Sequence, residues 1–254
     1  MLPQNGIKAV FYDLDGTLRF SDPAGHTAFA DQATTLGLDI SAADRRREML
    51  WEHRYFAESD ELRADRLEFP EADAFWLNFG RRQLMALGAS ATFAEEMVPQ
   101  LNEHMRVNYR PRDLLLPDIE PALKALKAAG LTLGVISNRD EPLGDYLSEI
   151  GLGEYFDFSL AAGEVQVWKP NRAVFVHALQ KTGLRPEQAV YVGDNYFADI
   201  IGARNAGMKP VLLDVHGLFE QPDCPVIHTH TELLDLLEQA GDPWREDIGK
   251  TPGR

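Results

Sequence analysis

Short apolar runs that close on an acid or a hydroxyl recur along this chain, with helix-length segments between them. That alternation narrows the available folds more than any other feature. The run 7–12 (IKAVFY) leads into Asp13-Leu14-Asp15-Gly16-Thr17, 131–137 (LTLGVIS) ends in Ser137-Asn138, and 189–193 (AVYVG) leads into Asp194-Asn195. A fourth, 209–213 (KPVLL), closes on Asp214, and 158–161 reads as a shorter strand. A continuous apolar run of this length, bounded by turn residues, is a strand buried on both faces. Between the runs, 121–130 (PALKALKAAG) is an amphipathic helix with a glycine stop, and 141–150, 171–182, 197–207 and 232–239 carry helical signals. Alternation of this kind predicts an α/β fold, a doubly wound, mostly parallel sheet with helices on both faces. Ligands bind such sheets outside the carboxyl ends of the strands, so Asp13, Ser137 and Asp194 are expected to converge on one edge.

The stretch from about Pro23 to Asn108 differs in kind. It is helical in period, rich in Arg, Glu, Ala and aromatics, and holds no run that reads as a buried strand. Gly37, Pro70, and Gly88 with Ser90 divide it into four predicted helices, and no lysine occurs between Leu18 and Ala122. The expected organisation is a discontinuous core, 1–20 and 112–254, with a helical domain, 21–111, inserted after the first strand. The tail Asp242 to Arg254, with two prolines and two glycines, reads as loose.

With 254 residues, 44% of them hydrophobic, the chain can bury a core without disulfides, and its single cysteine, Cys224, cannot form an internal bridge. The opening Met1 to Gly6 lacks a secretory apolar segment, and no apolar run approaches membrane-spanning length, so the expectation is a cytoplasmic protein without a membrane partner, monomer or homodimer. A formal charge of −15 argues against nucleic-acid binding. It would equally repel a small anionic substrate, so any phosphate site must concentrate positive charge in a metal ion and a placed lysine.

Asp13 and Asp15, two apart at a strand end, point to one side. Two close carboxylates either share a proton or sit beside a cation. Such a pair suits phosphoryl transfer, with Asp13 as nucleophile and Asp15 as proton donor and acceptor. Gly16 permits a tight turn, and Thr17 is placed to hold the nucleophile. Asp194 with Asp13 offers oxygen ligands to Mg²⁺, and Asp199, a turn later, would bind a metal-bound water or steady a lysine. The hydroxyl of Ser137 and the backbone N–H groups around Asn138 are placed to cradle phosphate oxygens. Lys169, one of seven lysines, would offset the negative charge. For each piece a plainer role exists: an Asp-Gly turn at Asp15-Gly16, helix caps at Ser137-Asn138 and Asp194-Asn195, a dipole-complementing acid at Asp199, and a solvated lysine.

Taken together and in this order, the pieces resemble the motifs of the haloacid dehalogenase-like superfamily of hydrolases. DxDx[TV] matches Asp13 to Thr17; Ser137, Lys169, and Gly193-Asp194 with Asp199 match the later motifs; the insert resembles the family's helical C1-type cap. The resemblance covers residues 7–18 and 117–214. It implies a nucleophile at Asp13, a general acid/base at Asp15, and Mg²⁺ held by Asp13, the Asp15 carbonyl and Asp194. Phosphate would be bound by Thr17, Ser137, Asn138 and Lys169. The implied activity is hydrolysis of a small phosphorylated metabolite through an aspartyl-phosphate. Within the family, dehalogenases lack an acid at the position of Asp15, and phosphonate-cleaving members need a cap lysine that is absent here. A sugar phosphomutase and a non-catalytic binding protein are the alternatives. Arg19, Arg45-Arg46-Arg47, Trp51, Arg54 and Tyr55 are candidates for the inner face of the cap, against a plainer reading as solvated face and core. Phe75, Trp76 and Phe79 read as cap core or a dimer contact. His228-Thr229-His230 lacks a third metal ligand and reads as exposed strand or loop.

Overall fold

The computed structural model describes residues 6–239 and 243–244; most of the tail expected to be loose lies outside them. The chain opens with β1 (Ala9–Tyr12), whose four residues are wholly buried. β2 (Phe20–Asp22) then leads into five helices, α1 (Gly25–Thr35), α2 (Ala42–Tyr55), α3 (Asp60–Glu68), α4 (Ala72–Ala86) and α5 (Ala91–Asn108), and β3 (Arg112–Leu114) leads out again. β2 and β3 pair antiparallel, with Ser21 opposite Asp113, so the helical insert leaves and rejoins the chain through one two-stranded ribbon. The insert has five helices where four were expected. The extra break falls at 56–59, which contains neither Gly nor Pro; Glu58 instead adopts a positive φ of 52° and Ser59 caps α3.

After the ribbon, α6 (Ile119–Ala128), β4 (Thr132–Ser137), α7 (Gly144–Glu149), β5 (Phe158–Ala161), α8 (Ala162–Val165), α9 (Arg172–Thr182), β6 (Ala189–Gly193), α10 (Ile201–Asn205), β7 (Lys209–Leu213), β8 (Val226–Ile227) and α11 (His230–Glu238) follow. The main sheet has the order β5-β4-β1-β6-β7-β8 and every pair in it is parallel. The doubly wound prediction is therefore correct, with β8 as an additional short edge strand. β1 sits between the two winding directions, with β4 and β5 on one side and β6 to β8 on the other. Its carboxyl end is the switch point where such sheets open a crevice.

Side chains alternate faithfully across this sheet. Val10 and Tyr12 face a core shared with Ile119, Leu123 and Leu126 of α6 and Leu233 and Leu237 of α11. Ala9 and Phe11 face the opposite layer, built from Val174, Phe175 and Ala178 of α9 and Ala203 of α10. The insert has its own cores: Phe29, Ala33, Leu84 and Leu101 form one, and Tyr55, Leu62 and Phe79 a smaller one. Phe79 is thus core, as expected, whereas Trp76 is 49% exposed.

Candidate functional site

Three of the strand ends meet. Asp13 follows β1, its N–H held by the Val192 carbonyl at 2.8 Å, so the register of β1 against β6 sets its position. Lys169, buried on the loop before α9, sends its ammonium to Asp13 Oδ1 at 2.6 Å, Asp199 Oδ1 at 2.7 Å and the Tyr191 hydroxyl at 3.1 Å. Asp199 lies on a wide π-helical turn, Tyr196–Ile200, entered directly from β6 and capped by Asn195 Oδ1 on the N–H groups of Phe197 and Ala198. Such turns recur at functional sites because the extra residue redirects a side chain. Here the turn returns Asp199 toward Lys169. Its second oxygen accepts from the Asn195 N–H at 3.0 Å.

Asp13, Asp194 and Asp199 each present a carboxylate oxygen within 4.8 Å of the others. Burial pushes Asp13 up to about 7, with Lys169 pulling the other way and Asp199 adding to the rise. Burial, then the charges of Asp13 and Asp199, push Asp194 well above the usual carboxylate range. Lys169 is held protonated, the two carboxylates outweighing the opposing effect of burial. Three acids around one ammonium leave an excess of negative charge. An oxygen-only donor set with that excess fits a hard divalent cation such as Mg²⁺. The backbone is shaped around the same point: a Cβ on Gly16, whose φ is +84°, would stand 2.3 Å from Asp194 Oδ2.

The remaining motif residues take more specific positions than the sequence suggested. Thr17, fully buried, does not reach Asp13. Its hydroxyl accepts from the Asp194 N–H at 3.0 Å and donates to Asp194 Oδ1 at 3.2 Å, so it orients Asp194 and is engaged there. Asn138 uses both ends of its side-chain amide on the backbone of Lys169, accepting from its N–H at 2.7 Å and donating to its carbonyl at 3.1 Å. One amide N–H and the Asn138 backbone are left for an anion. The buried Ser137 hydroxyl accepts from the Arg139 N–H at 3.3 Å. Asp15 lies at the mouth, gripped at both oxygens by Arg139, whose Nε and Nη2 are each 2.8 Å away. Arg19 adds Nη1 at 3.2 Å.

Apart from Thr17, these motif residues line one cavity of about 500 Å³, which the insert covers with His26, Met49, Glu52, His53 and Phe56. Of the basic and aromatic candidates for this face, only Arg19 lines the cavity. Arg45 pairs with Asp31, Arg47 with Asp44, Tyr55 is insert core, and Arg54 stacks on Phe197. Arg46 bridges instead to the core, donating to the Gly217 carbonyl at 2.7 Å. His53 is a site residue that sequence reasoning missed, as is Arg139. Burial pushes the His53 imidazole down to about 4, and its Nδ1 has no hydrogen-bond partner. No local signal marks His53, whereas Arg139 directly follows a strand-end Ser-Asn pair. The reading of His228 to His230 as exposed strand or loop holds for His228, exposed after β8, and is corrected for His230. Thr229 caps α11, and His230 is buried with Nε2 3.0 Å from the Thr17 carbonyl.

A family model for haloacid dehalogenase-like hydrolases matches residues 7–207. The phosphoserine phosphatase of Thermus thermophilus is 29% identical over 249 residues, which cover 91% of this chain and 97% of that protein. Haloacid dehalogenase-like hydrolase domain-containing protein 3 of Mus musculus is 39% identical over 99 residues, a match spanning only 39% of each chain. The solved structure of a 2-haloacid dehalogenase from Pseudomonas syringae superposes with a TM-score of 0.52 at 28% identity, covering 91% of this chain and 98% of that one. Among the described residues no helix is long and apolar enough to cross a membrane.

Proposed function

Because the chain belongs to the haloacid dehalogenase-like hydrolases, we propose that it is a phosphomonoesterase acting on a small phosphorylated metabolite, with Asp13 as the nucleophile. The observation that carries this reading is the junction at the end of β1. There Lys169 engages Oδ1 of Asp13 and leaves the other oxygen to attack, while Asp15 lines the same cavity two residues on. Attack on phosphorus forms the aspartyl-phosphate and breaks the ester P–O bond as Asp15 protonates the departing oxygen. Asp15 then takes a proton from the water that attacks phosphorus. The bond to Asp13 breaks, and inorganic phosphate leaves. Lys169, the Ser137 hydroxyl and the backbone N–H groups after β4 receive the phosphate oxygens.

Asp13, Asp194 and the Asp15 carbonyl would hold Mg²⁺, which when bound offsets the charge gathering between the carboxylates and the phosphate. Both Asp199 oxygens are engaged by Lys169, Tyr191 and the Asn195 N–H, so its part is to fix the lysine. The acid at Asp15 favours phosphorus over carbon as the centre attacked, and the phosphatase activity named for the Thermus thermophilus relative agrees with it. The insert serves as a cap over the leaving group. The lone Cys224 suits a reducing, cytoplasmic setting. The test is phosphate release from an aryl phosphate in the presence and absence of Mg²⁺. Release is expected to need the cation and to vanish in Asp13→Asn; wild-type turnover in a folded Asp13→Asn protein would refute the mechanism.

A further inference from the structure

Arg139 and Arg19 both hold Asp15, yet they are not equivalent. Arg19 has a second carboxylate, Asp113, at its Nε, so it stays paired whichever way Asp15 turns. Among the described residues, Arg139 forms its ion pair with Asp15 and feels Asp113 only from farther off. Its guanidinium lies over the Tyr146 ring, 4.2 Å from the centroid, and its side chain is 31% exposed, opening on the cavity. A planar guanidinium with Nε and Nη2 on the two oxygens of one carboxylate is set for bidentate recognition of that group. The stacked ring holds the plane fixed.

This grip conflicts with the role given to Asp15. Both its oxygens are engaged by Arg139, so turning one toward a leaving oxygen competes with that pairing. If Asp15 turns to the ester, Arg139 loses its hydrogen-bonded carboxylate and keeps only the more distant charge of Asp113, which is unfavourable for a half-buried cation. A carboxylate on the leaving group would resolve both problems by replacing Asp15 on the guanidinium. Arg139 lies one hydrogen bond from Asp15, and the ester oxygen must also lie within hydrogen-bond reach of Asp15. The second anion must therefore sit only a few bonds from the ester oxygen.

Building on the phosphatase reading, we propose that Arg139 is a specificity-determining residue that selects phosphomonoesters of small hydroxy acids, and that the substrate carboxylate displaces Asp15 from its guanidinium. A neutral leaving group cannot make that exchange and is turned over with Asp15 still held.

The test compares kcat/KM for 2-phosphoglycolate and ethyl phosphate, which differ by a carboxylate, with ethylene glycol bisphosphate as a third arm. The wild type should favour 2-phosphoglycolate over ethyl phosphate by about 10- to 100-fold, the range of a charged hydrogen-bonded pair. Arg139→Gln should bring that ratio to within about threefold, mainly by raising KM for 2-phosphoglycolate, and Arg139→Lys should recover part of it. A merely structural role would lower both substrates together and leave the ratio standing, which overturns the proposal. So does a wild-type ratio near one, a result that needs no variant to fold. A preference for the bisphosphate equal to that for 2-phosphoglycolate overturns the assignment to a carboxylate. Release from ethyl and aryl phosphates, lost in Asp13→Asn, checks the underlying reading separately. A flat ratio on top of such release removes the Arg139 assignment alone, whereas no release from any ester removes both.

Discussion

The helical insert and the sheet core both bury charge, and they do so on opposite plans. In the insert the buried acids Asp65 and Glu48 each have their own donor. Asp65, fully buried, accepts from Arg82 Nη2 at 2.8 Å and from the Tyr55 hydroxyl at 2.9 Å, and Glu48 accepts from Gln83 Nε2 at 2.6 Å. In the core, Asp13, Asp194 and Asp199 gather around one ammonium. Paired buried charge is what a fold needs to avoid an orphaned ion. Crowded like charge is what a fold tolerates when a ligand is to complete it. Charge that closes on itself belongs to architecture, and charge left over belongs to chemistry.

Substitutions should therefore separate the two regions. The largest expected effect is in the core: Asp13→Asn should lower kcat by ~10³-fold or more while the melting temperature holds, as read by phosphate release and thermal unfolding. A large loss of stability there would make Asp13 architectural. Next comes the insert, where Arg82→Ala strands Asp65 and should cost about 3–5 kcal/mol in denaturant unfolding, with turnover per folded molecule retained. Thr17→Val tests whether orienting Asp194 matters; Mg²⁺ activation should shift to concentrations about 10- to 100-fold higher. The smallest effect is a pH slope. Burial pushes Glu48 up to about 7 from 4.5, so between those values the folded state keeps a proton the unfolded state has lost. Stability from this group is then lost as pH rises through that window. Melting temperature should fall across it, and Glu48→Gln should flatten the fall.

The parts legible in the amino-acid order were those written locally. The strands of the main sheet announced themselves because burial on both faces makes them continuous apolar runs, and their polar terminators marked the crevice. β8, two residues at an edge, is too short for any periodicity to register. The ribbon strands β2 and β3 are only partly buried or exposed, and neither carries an apolar pattern. The break before α3 rests on a positive φ at Glu58, which the residue type does not advertise. Within the site, Asp13 and Asp194 were identifiable from their strand-end positions, and Lys169, on a loop before a helix, from its place in the order of the motifs. The partners of Thr17 and Asp15 were not, since Asp194 and Arg139 lie 177 and 124 residues away and side-chain pairing across that distance has no local signature.

The ribbon joining the two regions has its own consequence. Residues 21 and 113 face each other across an antiparallel pair, so the incoming and outgoing chains stand about 5 Å apart, the spacing of such partners. A tight hairpin spans the same gap. Everything between those two positions is a cassette, and a different one can be spliced into the stalk while the strand ends below keep their places. The strand-end carboxylates and the helices above them are thereby free to change at different rates.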